Sequence, residues 1–226
     1  MPMFKLLQHG KSWLTRLQPC QLCLTDHQSI HSVCEDCWRQ LPWAHQTIQR
    51  QEMQFQIACD YAYPMDRLIQ LFKYEQKLHL QNLLAGVLLS LDLPKVSAIV
   101  PMPISNERLA ERGYNQSLVL AKHVAKQLNV PIWQPITRLK QHSQKGLSRL
   151  ERIEDIQSQF QISTISKLRY RRVLIIDDVV TTGSSIRALS QTLEQLGCQK
   201  VYAACLAGAK ILKFKLGQVT VTSPME

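Results

Sequence analysis

The stretch 173–185, with the sequence VLIIDDVVTTGSS, constrains the fold of this chain more than any other segment. It begins with an apolar run, Val173 to Ile176, in which no polar residues alternate with the apolar ones. Such a run predicts a parallel strand that is buried on both faces. Asp177 and Asp178 would then lie at the carboxyl end of that strand, which is the edge where α/β sheets bind ligands.

The polar residues after this strand indicate the chemistry of the ligand. The carboxylates of Asp177 and Asp178 can accept hydrogen bonds from a vicinal diol, such as the 2′ and 3′ hydroxyls of a ribose. The small residues that follow open a helix, whose first N–H groups and neighbouring hydroxyls would cradle an anion. They are Thr181, Thr182, Gly183, Ser184 and Ser185. The segment therefore predicts a site for a sugar phosphate.

The helix itself is predicted by apolar residues at three- and four-residue spacing and by a glycine that would end it. These residues are Ile186, Leu189, Leu193 and Leu196, followed by Gly197. Other phosphate-binding motifs fit poorly, because the chain contains neither Gly-x-Gly-x-x-Gly nor Gly-x-x-x-x-Gly-Lys-Ser/Thr before a helix. Receiver domains and Walker B strands also end in aspartates, but neither requires Thr-Thr-Gly-Ser shortly afterwards.

The cysteines predict a metal site near the amino terminus. Four of the seven form two Cys-x-x-Cys pairs, at Cys20, Cys23, Cys34 and Cys37. Four thiolates complete the tetrahedral coordination of a structural Zn²⁺. Disulfides are the alternative, but nothing in the sequence suggests export, so zinc is favoured. The remaining cysteines are expected in the core and the histidines of the intervening loop at the surface; these are Cys59, Cys198, Cys205, His27 and His31.

The charge indicates an anionic partner, since the net charge is +10 and the pI is about 9.4. Basic residues concentrate in 138–152 and 167–172, and either a polyphosphate ligand or a nucleic-acid backbone would explain them. Charged residues interrupt the apolar ones in 1–19, so we expect neither a signal peptide nor a membrane span. An apolar stripe in that segment would either pack on the protein or contact a membrane surface.

The order of predicted elements indicates an α/β fold with a parallel sheet flanked by helices. We expect strands at 55–63, 96–100, 131–136, 173–176 and 201–206, and helices at 65–91, 117–128 and from 184. Residues 1–50 are expected to form a small zinc-binding module, and 51–226 the α/β domain. The segment 137–149 is either a solvated loop or a mobile lid whose cations close over pyrophosphate.

The stretch 173–185 resembles the signature of type I phosphoribosyltransferases, which bind phosphoribosyl pyrophosphate (PRPP). Over nearly the whole chain, the sequence more closely resembles the ComF/GntX family of phosphoribosyltransferase-like proteins with an N-terminal zinc-binding region. The segments that carry this resemblance are the four cysteines, Leu71-Phe72-Lys73-Tyr74, Val100-Pro101-Met102-Pro103, Glu111 to Gln116, Gln144, Gly146 to Arg149, and Arg152. Where this family often has a glycine after the Lys-Tyr pair, this chain has Glu75-Gln76.

The resemblance implies roles for particular residues. Asp177 and Asp178 would hold the ribose hydroxyls, 181–185 would wrap the 5-phosphate, and Mg²⁺ would bind the pyrophosphate. Residues 101–105 would form the pyrophosphate loop and 138–149 the flexible loop. The further candidate ligands of PRPP are Pro101, Met102, Pro103, Lys73, Arg112, Arg138 and Lys140.

The resemblance also implies a role in natural transformation, the uptake of single-stranded DNA. The protein would act on the cytoplasmic side of the inner membrane, beside a helicase-like partner. Three functions stay open: a phosphoribosyltransferase with an unidentified acceptor, a DNA-binding protein that keeps the PRPP fold, and a PRPP-sensing adaptor that docks through the zinc module. In the second, Tyr114, Trp38 or Trp133 would stack on bases.

Overall fold

The structure, a computed structural model, describes residues 18–50, 53–139, 159–162 and 169–208. The strands are β1 (Trp43–Arg50), β2 (Met53–Asp60), β3 (Ala98–Pro101), β4 (Ile136–Arg138), β5 (Phe160–Ile162), β6 (Arg172–Val180) and β7 (Lys200–Gly208). The helices are α1 (Glu35–Arg39), α2 (Met65–Tyr74), α3 (Gln81–Leu89), α4 (Asn106–Arg112), α5 (Gln116–Leu128) and α6 (Ser184–Gln195). A 3₁₀ turn, Leu78–Leu80, precedes α3.

A five-stranded sheet in the order β1-β2-β7-β6-β3 forms the centre of the fold. The predicted parallel sheet is confirmed, since β2, β7, β6 and β3 run parallel and only the edge strand β1 is antiparallel. β1 ends at residue 50, so the last part of the expected N-terminal module is a strand of this sheet. A separate antiparallel pair, β4 and β5, packs near α6.

The surroundings of β6, an inner strand of the sheet, explain why its sequence lacks alternation. Leu174 and Ile176 belong to the apolar cluster that contains α3 and α5, whereas Val173 and Ile175 belong to the cluster that contains α6. Both faces are thus covered by helices, and all four side chains are fully buried. Residues whose side chains point to either face of the sheet therefore need to be apolar here.

The long helix expected at 65–91 is wrong, because the chain breaks it after Tyr74. Gln76 adopts a positive φ of 52°, and the N–H groups of Glu75 and Lys77 both bond to the carbonyl of Leu71. This left-handed residue closes the end of α2 as a glycine would. The apolar spacing continues across the break, so periodicity alone gave one helix where there are two.

Two other expectations also need correction. The strand predicted at 131–136 is reduced to a single bridge between Ile132 and Ile99, followed by the short strand β4. The strand predicted at 55–63 ends at Asp60, and Tyr61 and Tyr63 are exposed beyond it. None of the described helices is long and apolar enough to cross a membrane.

The cysteine-rich segment packs directly on the α/β core. Val33 and Leu41 share one apolar cluster with Leu83 of α3. The ring of His31 lies so close to Gly86 that a Cβ on this glycine would come within 2.2 Å of it. The segment and the domain therefore stabilise one another through a common core.

Candidate functional site

The two aspartates are the sixth and seventh of the nine residues of β6, which continues to Val180 and does not end at Ile176 as predicted. Asp177 is half-buried and accepts a hydrogen bond from Ser117 Oγ at 3.2 Å and one from the N–H of Asp178 at 2.9 Å. Burial, followed by the nearby charge of Asp178, raises the pKa of Asp177 to about 7. This carboxyl group therefore changes its protonation near neutral pH.

Asp178 is buried and forms an ion pair with Lys73, whose Nζ lies 2.9 Å from its Oδ1. The same oxygen accepts the N–H of Val179 at 2.6 Å. Lys73 is in the last turn of α2, so this pair joins the end of that helix to the acidic end of β6. The structure thus brings a predicted cation and a predicted carboxylate into one site.

The segment 112–117 holds Lys73 in position. The hydroxyl of Tyr114 donates to the carbonyl of Phe72, and Gln116 Nε2 donates to the carbonyl of Lys73 at 3.5 Å. Ser117 then reaches Asp177, as described above. One short segment therefore fixes the cation on α2 and the carboxylate on β6 relative to each other.

Arg112 belongs to the same arrangement. Its guanidinium lies 5.0 Å from the ring centre of Tyr74, and its Nη1 donates to Gln116 Oε1 at 3.1 Å. Its Nε is buried and has no hydrogen-bond partner in the described segments. Arg112 thus supports the end of α2, and its role as a direct PRPP ligand stays a prediction.

The predicted pyrophosphate loop lies beside the aspartates. Pro101 ends β3 opposite Ile176, and the N–H of Met102 donates to the carbonyl of Ile176 at 2.9 Å. Asn115 fixes the loop further, because its Nδ2 donates to the carbonyl of Met102 at 3.0 Å. Pro103 follows, partly exposed.

The predicted phosphate cradle forms the turn between β6 and α6. Gly183 has a φ of 80°, and a Cβ there would lie 2.7 Å from the ring of Phe55. The hydroxyls of Thr182 and Ser184 lie 3.0 Å apart, and Thr181 is exposed beside them. Helix α6 begins at Ser184, so Ser184 and Ser185 stand in its first turn as the sequence predicted.

Arg138 lies in strand β4, whereas the sequence assigned it to a flexible loop. Its Nη2 donates to Gln159 Oε1 at 2.8 Å and lies 3.5 Å from Ser185 Oγ. It therefore faces the first turn of α6. Lys140 and the rest of the predicted loop up to residue 149 lie outside the described residues.

The four cysteines form the cluster that the sequence predicted. Their Sγ atoms all lie within 4.8 Å of one another, and those of Cys23 and Cys34 are 3.9 Å apart. A tetrahedral Zn²⁺ with Zn–S bonds of about 2.3 Å would separate its sulfurs by about 3.8 Å, so the donor set fits zinc. The N–H of Leu22 points to Cys20 Sγ at 3.4 Å and stabilises a thiolate there.

The histidines near this cluster and the three remaining cysteines lie where the sequence predicted, whereas stacking of aromatic residues on bases stays a prediction. His27 and His31 are exposed and do not belong to the cluster, while Cys59, Cys198 and Cys205 are buried in the core as expected. Trp133 is buried, and Trp38 packs edge-on against Trp43 with ring centres 4.8 Å apart.

Sequence reasoning missed three residues of the site. Ser117 bonds to Asp177, Gln159 bonds to Arg138, and Phe55 packs against Gly183. Ser117 and Gln159 are buried polar residues, at 3% and 2% exposure. A polar residue on the inward face of a helix was a usable signal for Ser117, but the pairing of Gln159 depends on how β4 meets β5.

The parallel α/β core, with an acidic pair in the inner strand β6 and a glycine turn before a helix, defines a phosphoribosyltransferase-like domain. The family model for the phosphoribosyl transferase domain accordingly matches residues 115–216. The chain is 30% identical to competence protein F of Haemophilus influenzae over 203 residues, covering 84% of each protein. It therefore belongs to the competence protein F family.

Other relatives agree with this assignment. DNA utilization protein YhgH of Escherichia coli K12 is 26% identical to the chain, with 87% of this chain and 96% of that protein covered. Competence protein ComFC of Bacillus subtilis is 28% identical, with 79% of this chain and 72% of that protein covered.

Proposed function

We propose that the protein acts in natural transformation, in the uptake of single-stranded DNA, and that it binds PRPP at the acidic end of β6. The observation that carries the first part is the likeness to competence protein F over 84% of both chains. The relatives named for DNA utilization support the same process.

The arrangement around β6 supports PRPP as the ligand. Asp177 and Asp178 would accept hydrogen bonds from the ribose hydroxyls. The turn 181–185 and the N-terminus of α6 would hold the 5-phosphate through N–H groups and hydroxyls. The pyrophosphate would then lie toward 101–103 and Lys73, so that the positive charge of Lys73 would face the negative charge of the pyrophosphate.

Mg²⁺ and Zn²⁺ are the metals that the site residues suit. Hard carboxylate oxygens such as those of Asp177 and Asp178 are appropriate near Mg²⁺, which when bound neutralises the charge of pyrophosphate. The four cysteines would hold Zn²⁺ in a closed, structural site, since four thiolates leave no position open for a substrate.

The location and the DNA contacts are part of the same proposal. The protein would work in the cytoplasm, peripherally at the inner membrane beside a helicase-like partner. The net charge of +10 supports contact with DNA phosphates. The basic run 138–152 is the first candidate for these contacts, with Lys140 and Lys145 in its centre.

The second candidate function is phosphoribosyl transfer itself. The bond from C1 of the ribose to pyrophosphate would break, the ring would pass through an oxocarbenium-like state, and an acceptor nucleophile would attack C1. The ion pair between Lys73 and Asp178 favours this, because it puts a cation beside the expected pyrophosphate. A PRPP-sensing adaptor would use the same pocket without this step.

The test is a titration of the full chain with PRPP, with and without Mg²⁺, for Asp178→Ala against the wild type. Losing an acceptor leaves a ribose hydroxyl unpaired, at a cost of roughly 1 to 3 kcal/mol, or about five- to more than one-hundred-fold in affinity. Asp92→Ala is the control, since Asp92 is an exposed carboxylate ahead of β3.

The same variants are then tested for transformation in a competent host. If Asp177→Ala and Asp178→Ala abolish DNA uptake at normal protein level and DNA affinity, the pocket is needed for the process. If both transform like the wild type, the pocket has no part in uptake. An acceptor screen that follows pyrophosphate release separates the enzyme from the adaptor.

A further inference from the structure

Within the part of the chain that the structure describes, the hydrogen-bond partners of Arg138 supply no negative charge. Its Nη2 donates to Gln159 Oε1 at 2.8 Å and lies 3.5 Å from Ser185 Oγ, and both of these partners are neutral. Among the described residues, no hydrogen-bond partner reaches its Nε, which is buried. Burial, followed by the positive charge of Arg108, lowers the pKa of Arg138, and the negative charge of Asp177 opposes this shift.

The position of this guanidinium is fixed by its neighbours. Gln159 is only 2% exposed, and the residue beside it, Phe160, pairs with Arg138 across β4 and β5. The guanidinium carbon lies 5.5 Å from the ring centre of Phe160. Removing a cation from water costs free energy unless an anion pairs with it, and the partners of the Arg138 guanidinium given above are neutral.

The N-terminus of α6 faces the same space. Ser185 is the second residue of this helix, and the turn before it carries the hydroxyls of Thr182 and Ser184. The first N–H groups of a helix attract anions. The partly buried guanidinium of Arg138 next to them offers a fork of donors that matches a phosphate.

We propose that Arg138 binds the 5-phosphate of the sugar ligand together with the first turn of α6, and thereby selects ligands that carry this phosphate. The proposal deepens the PRPP site and rests on that proposed function. A cation of the flexible loop would bind the pyrophosphate. The proposal instead assigns Arg138 to the opposite end of the ligand, where the 5-phosphate lies.

The test compares ligands that contain different ends of PRPP. The full chain is titrated with PRPP, with pyrophosphate and with ribose 5-phosphate, all in Mg²⁺. Arg138→Gln removes the charge and keeps an N–H donor for Gln159. We expect it to weaken PRPP and ribose 5-phosphate by about 10- to 100-fold and pyrophosphate by less than about two-fold, since hydrogen bonds to charged groups are lost only for the first two.

Two further variants complete the experiment. Arg172→Gln removes the same charge from an exposed residue at the other end of β6 and is expected to leave all three affinities unchanged. Arg138→Lys keeps the charge without the fork and is expected to recover part of the lost affinity. It also tests the proposal if Arg138→Gln fails to fold.

Each outcome decides something. If Arg138→Gln weakens PRPP and pyrophosphate equally, or weakens neither, the proposed role of Arg138 is overturned. The proposed function of the site, which is to bind PRPP, is not affected by either result. If the wild type binds no PRPP in Mg²⁺ but binds ribose 5-phosphate through Arg138, the PRPP function fails and the phosphate contact stands. If ribose 5-phosphate binding is also independent of Arg138, both fail.

Discussion

Lys73 Nζ lies 2.9 Å from Asp178 Oδ1, and this ion pair joins the end of α2 to the acidic end of β6. The side chains of Lys73 and Asp178 are 19% and 12% exposed, so water screens the pair only in part. Any ligand that uses Asp178 for a ribose hydroxyl meets Lys73 as well. The pair is therefore both a structural contact and a part of the candidate site.

Lys73→Met is expected to destabilise the protein by roughly 1 to 3 kcal/mol, because it leaves a buried carboxylate unpaired. Thermal unfolding measures this loss, and a double-mutant cycle with Asp178→Asn measures the pair. We expect the double variant to recover most of the loss. Additive effects of the two changes would mean that the two groups do not interact in solution.

Gly183→Ala is expected to destabilise the turn before α6 for two reasons. The φ of 80° costs a residue with a Cβ about 1 to 2 kcal/mol, and the Cβ would also lie 2.7 Å from Phe55. The overpacking adds roughly 1 to 3 kcal/mol. Unfolding in urea measures the sum, and PRPP affinity should fall with it.

Gly113→Ala is the matched control for this change. Gly113 has a φ of 77°, but a Cβ there would meet no atom of the described residues within 4 Å. We therefore expect only the backbone cost of about 1 to 2 kcal/mol. If both alanine variants lose the same stability, the close contact with Phe55 has no energetic weight.

Asp177→Asn is expected to stabilise the protein at pH 8 and to have a much smaller effect at pH 5. The folded pKa of Asp177 is raised to about 7, above its value of about 4 in the unfolded chain. Between these values the unfolded chain ionises first, so the wild type loses stability as pH rises from about 4 to about 7. Asparagine stays neutral and avoids this loss.

A pKa raised from about 4 to about 7 corresponds to about 4 kcal/mol at pH 8. The expected gain in Tm is therefore roughly 8 to 16 °C, since 1 kcal/mol corresponds to roughly 2 to 4 °C in a domain of this size. Thermal unfolding of both proteins at pH 5, 6, 7 and 8 measures it. A gain that is constant across this range would contradict a titration of Asp177 within it.

Removal of zinc is expected to lower the stability of the whole domain, and not of the cysteine-rich segment alone. Val33 and Leu41 pack in the same cluster as α3, and exposing both would cost roughly 3 to 6 kcal/mol. Cys37→Ser, or a chelator on the wild type, should lower Tm by at least roughly 5 °C. Metal analysis should give one zinc per chain in the wild type.

The zinc prediction would be contradicted by a wild-type protein that contains no metal and unfolds at the same temperature with and without chelator. Cys59→Ser is the control for the loss of a thiol, because Cys59 is a core residue of β2 outside the metal cluster. It should destabilise the core without changing the zinc content.

The sequence by itself determined the features that depend on neighbouring residues. The buried strand 173–176, the glycine turn and the helix that follows are encoded in one continuous segment, and the spacing of the four cysteines predicted that they cluster. These predictions were confirmed because burial of β6 on both faces demands an apolar run, and because a positive φ at Gly183 demands a glycine.

Only the tertiary structure decided how distant segments meet. Lys73 reaches Asp178 because Tyr114 and Gln116 hold the end of α2, and Arg138 faces α6 because β4 pairs with β5. The break of the long helix at Gln76 could not be predicted from the apolar spacing either, because that spacing continues through it. The spacing of residues along the chain predicts which of them lie on the same face of a helix or strand. Hydrogen bonds between segments far apart in the chain form only when the sheet has brought these segments together.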